Sequence, residues 1–141
     1  MECGIDIVEI KGFEKLLETE SFLNKYFTAQ EIEYINSKTN KAQTVAGLYA
    51  CKEAVLKAFG IGIGGGIDLK EINILHQNGR PKVEITAKID YHLAELACNQ
   101  LSVSISHDGE YATAICVIVW LNIFGKYIQT ITDKDKCPFF V

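Results

Sequence analysis

The stretch Gly47–Gly66, GLYACKEAVLKAFGIGIGGG, indicates the fold and the chemistry of this chain more clearly than any other segment. The apolar pattern from about Gln43 to Phe59 predicts a long helix. Glu53 and Lys57 are four positions apart and therefore share one face of that helix. A carboxylate in so apolar a helix needs a cation, so Glu53 either binds a metal ion or forms an ordinary ion pair with Lys57.

A glycine run follows this helix directly: Gly60, Gly62, Gly64, Gly65 and Gly66. Glycine permits left-handed backbone conformations and lets bare N–H groups approach a ligand closely, as in loops that bind phosphate. The Gly-Lys-Ser/Thr ending of a Walker loop is missing, and the lysine precedes the run instead of following it. The run therefore indicates either a phosphate-binding loop or a helix C-cap followed by a flexible linker.

The length of 141 residues is typical of one domain, and the composition, 48% hydrophobic and 23% charged, is that of a globular protein. The sequence has no apolar run of membrane-spanning length, and Glu2 and Asp6 stand where a signal peptide would be basic or apolar. We therefore expect a cytoplasmic protein with no membrane partner. The net charge of −4 and a single arginine, Arg80, argue against nucleic acid as a partner.

The cysteines form an odd set of five without a C-x-x-C pair: Cys3, Cys51, Cys98, Cys116 and Cys137. This spacing is typical of neither a zinc site nor a disulfide framework. We expect reduced cysteines that lie mostly in the core.

The predicted elements mix strands and helices without regular βαβ alternation, which indicates an α+β fold. A strand is predicted over residues 4–10, where Asp6 falls on the same side as Val8 and Ile10. An acid on that apolar side is either a site residue or a charge tolerated at the edge of a sheet.

The remaining predicted elements follow from periodicity and turn signals. Helices are expected over 13–25, 29–37 and 90–100, the second starting from a Thr28–Glu31 capping box. Strands are expected over 69–75, 82–86, 101–107 and 111–121, with hairpin turns at 77–81 and at Asp108-Gly109.

The strand over 101–107 alternates strictly and ends with His107 on its apolar side. Such a histidine is either a hydrogen-bonded structural residue or a ligand-binding one. Residues 1–121 form the predicted domain, and residues 122–141 are a C-terminal extension to which we assign no role.

Four segments occur together in this order: GIDIVEI, AGLYACKEAVLKAFGIGIG, NGRP and LSVSISHDGEYA. Over roughly residues 3–119 the chain resembles the holo-[acyl-carrier-protein] synthases, the small bacterial class of 4′-phosphopantetheinyl transferases. The resemblance implies the small fold of that class, mainly an antiparallel sheet packed with a long central helix. It also implies a homotrimer with active sites at the subunit interfaces.

The reaction that the resemblance implies is Mg²⁺-dependent transfer of 4′-phosphopantetheine from coenzyme A to a serine of an apo acyl carrier protein. The reaction releases 3′,5′-ADP and serves fatty acid and lipid biosynthesis. Asp6 and Glu53 match the metal ligands of the family, and two carboxylates suit a hard ion such as Mg²⁺. Lys57 matches a residue that contacts the phosphates and stabilises the leaving group. It would also act as the base if burial kept it neutral; otherwise Glu53 or a water molecule takes the serine proton.

The remaining implied site residues hold the nucleotide. In the glycine run they are Gly60, Gly64 and Gly65, whose backbone would pack along the phosphates or the pantetheine arm. From a neighbouring subunit they are Asn78, Pro81 and His107.

Two positions depart from the family pattern, because Gly12 and Leu48 stand where arginines are usual. The first arginine grips the acidic carrier, and the second orders the nucleotide site. We expect catalysis to be retained, with weaker or differently specific carrier docking. The alternative is a non-catalytic oligomeric module that binds coenzyme A or a nucleotide.

Overall fold

The computed structural model describes residues 1–62 and 64–120, which form an α+β fold. Its α-helices are Ile10–Leu16 (α1), Glu20–Tyr26 (α2), Ala29–Asn36 (α3), Lys41–Ala58 (α4) and Ala87–Glu95 (α5). Its strands are Glu2–Glu9 (β1), Ile74–Gln77 (β2), Arg80–Val83 (β3), Cys98–Asp108 (β4) and Tyr111–Trp120 (β5).

Helix α4 is the centre of the core, as its apolar sequence predicts. It begins after Asn40, whose side-chain oxygen accepts a hydrogen bond from the backbone N–H of Gln43 at 3.1 Å. Its side chains are buried around most of its circumference, so that it packs against strands on one side and short helices on the other. This helix therefore fixes the relative positions of the elements around it.

A three-stranded antiparallel sheet, in the order β1-β5-β4, covers one side of α4. The inner face of β5 consists of small residues that let the helix approach, such as Ala112, Ala114 and Cys116. The register places Asp6 opposite Ala114, on this inner face. The expectation that Asp6 shares the apolar side of its strand is confirmed.

The outer face of the same sheet is apolar and exposed. Ile5 and Ile7 on β1 are 63% and 65% exposed, and Ile115 and Tyr111 on β5 are also exposed. Side chains of this kind usually lie in a core. The described part of the chain has no element that covers them.

The hairpin β2–β3 has the predicted turn. Asn78 and Gly79 both have positive φ angles, 50° and 77°, as a two-residue Asn-Gly hairpin turn requires. The predicted start of β2 at Leu69 is wrong. Residues Leu69–Glu71 form a 3₁₀ turn instead, because Glu71 accepts a hydrogen bond from the Asp68 N–H at 2.8 Å. Strand β3 likewise starts and ends before the predicted 82–86.

The predicted helix over 13–25 is interrupted. Thr19 donates hydrogen bonds to the Leu16 carbonyl through its hydroxyl and its N–H, which ends α1 and starts α2. The capping box that starts α3 is confirmed, since Thr28 and Glu31 bond reciprocally. Helix α5 starts earlier than predicted because Thr86 caps it, and it ends before the left-handed Ala97 (φ 53°).

The cysteines of the described residues are free, and Cys51, Cys98 and Cys116 are buried whereas Cys3 is exposed. Cys137 and the predicted extension 122–141 lie outside the described residues. Within the described ranges we find no helix whose length and apolar character would let it cross a membrane.

Candidate functional site

Asp6 and Lys57 meet where β1 crosses α4, although they are far apart in the chain. The Lys57 ammonium donates to Asp6 Oδ1 at 2.8 Å and to the Ile5 carbonyl at 3.1 Å. The Lys57 side chain is 52% exposed and that of Asp6 only 14%. A cation therefore lies at the surface and an anion beneath it.

Glu53 lies one helical turn before Lys57 and beside Asp6. Its Oε1 atom is buried and has no hydrogen-bond partner among the described residues. Burial raises the pKa of Glu53, and the Asp6 charge raises it further, whereas Lys57 and the Tyr49 phenol oppose the shift. Because Lys57 forms its ion pair with Asp6, the simple alternative of a Glu53–Lys57 pair does not describe this site.

The donor set at this position fits a hard divalent cation. A buried carboxylate oxygen without a donor, next to a second carboxylate, is stabilised by a positive charge. No group of three or more histidine, cysteine or acidic side chains that would suit a metal occurs in the described ranges. Mg²⁺ needs no such group, since one or two carboxylates, waters and substrate phosphates commonly complete its six ligands.

The glycine run begins as a helix C-cap. Gly60, with φ 72°, donates to the Lys57 carbonyl, and the next N–H, of Ile61, donates to Leu56, which is a Schellman motif. The run also contains a tight turn, in which the Gly65 N–H donates to Gly62 O at 2.9 Å. The capping alternative therefore holds for Gly60. Contact of Gly60, Gly64 and Gly65 with a ligand stays a prediction.

Sequence reasoning missed a buried ion pair that Lys52, the sequence neighbour of Glu53, forms on another side of α4. Lys52 Nζ donates to Glu31 Oε2 at 2.7 Å and to the carbonyls of Tyr26 and Leu69, both at 2.9 Å. Both side chains of the pair are 0% exposed. The sequence did contain a sign of a second buried charge. Lys52 follows directly on the apolar stretch of α4, and it lies about 100° around the helix from Glu53, so the two side chains face different neighbours.

The other predicted nucleotide-binding residues gather at a second place. Pro81 and His107 line a cavity of about 200 Å³ together with Leu48. Asn78 and Pro81 line an adjoining groove of about 840 Å³ between the hairpin and β4. His107 is exposed at the end of β4, opposite Ala112. Neither space includes Asp6, Glu53 or Lys57 in its lining, so one protomer carries two separate groups of predicted site residues.

The two positions that lack arginine differ in their surroundings. Gly12 is exposed on α1, and an added Cβ would meet open space there. Leu48 is 1% exposed and lies in the lining of the cavity that contains His107. An effect of these departures on ligand contacts stays a prediction.

Comparisons with known proteins match most of this chain. The family model of the 4′-phosphopantetheinyl transferase superfamily matches residues 2–116. A holo-[acyl-carrier-protein] synthase of Fusobacterium nucleatum is 39% identical over 118 residues, with 82% of this chain and 96% of the relative covered. That of Chlamydia felis is 43% identical over 116 residues, covering 81% and 93%.

A solved structure with the same architecture is that of Helicobacter pylori holo-[acyl-carrier-protein] synthase in complex with coenzyme A. It superposes with a TM-score of 0.72 at 31% identity, and the superposition covers 83% of this chain and 99% of the Helicobacter pylori chain. The motifs, the fold and these relatives place the chain in one family. It belongs to the holo-[acyl-carrier-protein] synthases, enzymes of the 4′-phosphopantetheinyl transferase superfamily.

Proposed function

We propose that this protein transfers 4′-phosphopantetheine from coenzyme A to a serine of an apo acyl carrier protein, in a Mg²⁺-dependent reaction that releases 3′,5′-ADP. The observation that carries the proposal is the buried oxygen of Glu53, which lies beside Asp6 and has no hydrogen-bond partner in the part of the chain that the structure describes. A structural ion pair would satisfy that oxygen, whereas a metal site leaves it free for the ion.

Asp6 and Glu53 would hold Mg²⁺ with two of its six ligands. When bound, the ion supplies positive charge that neutralises the pyrophosphate of coenzyme A. Both carboxylates approach from the protein side, because Asp6 lies on the inner sheet face and Glu53 on α4. Their role is to orient the substrate phosphates, since phosphoryl transfer depends mainly on positioning and charge stabilisation.

Lys57 would donate to the phosphate oxygens of the leaving group. The Lys57 side chain is half exposed, and its ammonium group already donates to the Asp6 carboxylate, so Lys57 serves as a hydrogen-bond donor in this site. We therefore assign Lys57 to charge stabilisation and not to removal of the serine proton. The glycine run follows Lys57 directly and would bring its backbone to the same phosphates.

We also propose that the active enzyme is a homotrimer. Asn78, Pro81 and His107 lie apart from the acids within one protomer, so a neighbouring subunit would bring them to the nucleotide. The exposed apolar face around Ile5 and Ile7 supplies an interface.

The biological setting is part of the proposal. The enzyme would act in the cytoplasm on carriers of fatty acid or other lipid biosynthesis. Its transferase domain would comprise residues 1–121, consistent with the family match over residues 2–116.

Intact mass spectrometry of the carrier tests the reaction. After incubation with coenzyme A and Mg²⁺, an apo carrier should gain the mass of phosphopantetheine, and EDTA should abolish the gain. Glu53→Gln should abolish it too, whereas Glu33→Gln on the exposed surface of α3 should not. Tight coenzyme A binding with no mass gain would instead establish the non-catalytic module.

A further inference from the structure

Strand β1 crosses α4 so closely at Gly4 that no side chain fits between them. A Cβ on Gly4 would lie 2.1 Å from the Ala54 carbonyl oxygen, 2.5 Å from the Ala58 nitrogen and 2.9 Å from Lys57 Cβ. Two of these are backbone atoms of the central helix, which cannot turn aside as a side chain does. A carbon atom needs roughly 3.2 Å or more from such an oxygen, so a methyl group would push β1 away by about 1 Å.

The requirement at Gly4 is for space and not for an unusual backbone conformation. Gly4 does not have a positive φ angle, and it pairs with Cys116 in the regular register of the sheet. An alanine would therefore keep the strand conformation. Its only structural effect would be on the distance between β1 and α4.

This distance bears directly on the two acids. Asp6 follows Gly4 by two residues and so lies on the same face of β1. The turn of α4 that contacts Gly4, residues 54–58, starts immediately after Glu53 and contains Lys57. The separation of strand and helix at Gly4 thus determines how far the Asp6 carboxylate lies from that of Glu53.

We infer that Gly4 is a positioning residue, which holds the carboxylates of Asp6 and Glu53 at the separation that a small divalent cation requires. The inference rests on the proposed function and adds to it a residue that touches neither metal nor substrate.

The two acids and the lysine should respond differently to a displacement. Mg²⁺ demands near-octahedral geometry with oxygens at about 2.0–2.1 Å, which leaves little tolerance for a shift of about 1 Å. Glu53 is fixed to a rigid helix, whereas Lys57 has a long side chain with an exposed end that can follow Asp6. Widening the gap should therefore weaken metal binding more than the Lys57–Asp6 contact or the binding of nucleotide without metal.

Titration calorimetry of coenzyme A binding at a series of Mg²⁺ concentrations tests the inference. We expect Gly4→Ala to weaken the apparent Mg²⁺ affinity by about 10-fold or more, with coenzyme A affinity in EDTA changed by no more than about 2-fold. Leu93→Ala is the control, because Leu93 is a buried residue of α5, a helix that packs against β4 at the opposite edge of the sheet from β1. It should lower the melting temperature and leave the Mg²⁺ affinity unchanged.

A second pair of variants separates spacing from stability. Asp6→Glu keeps the charge and extends the carboxylate by one methylene, so alone it should also weaken Mg²⁺ binding. Combined with Gly4→Ala, the longer arm should span the wider gap and restore part of the affinity that Gly4→Ala loses. Rescue of this kind would not follow from a purely structural role.

Three results would overturn the inference: wild-type Mg²⁺ affinity in Gly4→Ala, an equal loss in Leu93→Ala, or no rescue in the double variant. If Gly4→Ala does not fold, the Mg²⁺ affinity of Asp6→Glu tests the inference by itself. A wild-type Mg²⁺ affinity in that variant would refute the inference. Failure of the proposed function looks different, because wild-type coenzyme A binding would then be independent of Mg²⁺.

Discussion

Glu53 is the most unusual residue of the proposed site, because its buried carboxylate has an acid beside it and one oxygen without a partner among the described residues. Without a bound cation this arrangement opposes ionisation. In the presence of a divalent ion the same arrangement becomes favourable. Stability of the metal-free fold therefore favours the protonated Glu53 carboxylate, whereas binding of a cation would favour the ionised form. Such conflicts are common at functional sites.

The pH dependence of stability follows from the raised pKa of Glu53. Below its ordinary value of 4.5, Glu53 is protonated in both the folded and the unfolded metal-free protein. As the pH rises from 4.5 through the raised folded pKa, the unfolded state ionises first, so the folded state loses stability. We expect Glu53→Gln to remove this loss, so its stability advantage over wild type should grow across that window and then stay constant.

Urea unfolding in EDTA at pH 4 to 8 measures this difference. The sign of the difference decides the test. If Glu53→Gln becomes less stable than wild type as the pH rises, the ionised Glu53 carboxylate has stabilising partners in the fold. Glu33→Gln is again the matched control, since Glu33 is exposed and should give no trend of this kind.

At the level of single residues, the sequence indicated the residues of the proposed site better than the residues that support them. Asp6, Glu53 and Lys57 stood out because charged residues are rare in apolar segments. Gly4 and Lys52 were missed, although a glycine inside a strand pattern often marks a close backbone approach. The local pattern marks both positions as unusual, but it does not indicate which backbone or carboxylate faces them.

At the level of elements, Lys52 connects α4 to its surroundings. All three protons of its ammonium group have acceptors, which belong to Glu31 of α3 and to the carbonyls of Tyr26 and Leu69. Glu31 also accepts from the Ile74 N–H at 2.9 Å, at the start of β2. One buried pair thus connects α2, α3, α4 and the segment that follows the glycine run.

We expect Lys52→Met to destabilise the protein by about 3–5 kcal/mol, because it leaves the Glu31 charge buried without its cation. Lys41→Met is the matched control on the same helix, since the exposed Lys41 makes only a surface hydrogen bond to Asn36 and should cost less than about 1 kcal/mol. Chemical denaturation gives both values. Equal costs for the two variants would show that the buried pair contributes nothing.

Helix α1 offers a test of carrier docking. Gly12 lies inside this helix with open space around it, so Gly12→Arg and Gly12→Gln should both stabilise the protein, each by about 0.5–1 kcal/mol. Only the arginine should lower the KM for an acidic carrier, and only at low salt, because the attraction is electrostatic. Steady-state kinetics at two salt concentrations compares them. An equal KM for both variants would contradict a role for charge at this position.

Element boundaries were predictable where a local signal decides them. The Asn78-Gly79 turn, the Thr28 capping box and the long helix were confirmed, because each depends on residues close in sequence. The single helix over 13–25 and the strand start at Leu69 were wrong. In both cases a polar side chain, that of Thr19 or Glu71, bonds to the local backbone and overrides the apolar pattern.

On the scale of the whole molecule, association of protomers would account for two features of the described residues: an exposed apolar sheet face and two separate groups of predicted site residues. Fold class and family were predictable from sequence. The homotrimer stays a prediction that rests on the family resemblance, because the sequence pattern of an exposed apolar face is the same as that of a buried one.

We expect Ile7→Lys to convert a trimer into a folded monomer and to lower kcat/KM by about 100-fold or more, since a buried charge opposes association. Ile85→Lys is the control, because Ile85 is also exposed but lies outside the sheet. Analytical ultracentrifugation gives the oligomeric state. An Ile7→Lys variant that stays trimeric and active would place the interface elsewhere.

Mixing two inactive variants tests whether subunits share the site. Lys57→Ala and His107→Ala protomers, unfolded and refolded together, should recover part of the activity that neither has alone. Recovery is expected because some interfaces then combine an intact Lys57 with an intact His107. If the refolded mixture contains mixed trimers but has no activity, both residues act within one protomer.

Anomalous diffraction from crystals grown with coenzyme A and Mn²⁺, used in place of Mg²⁺, tests the central claim most directly. We expect one anomalous peak, in contact with carboxylate oxygens of both Asp6 and Glu53 of one protomer and with the coenzyme A pyrophosphate. A bound pyrophosphate whose Mn²⁺ contacts neither carboxylate would contradict it.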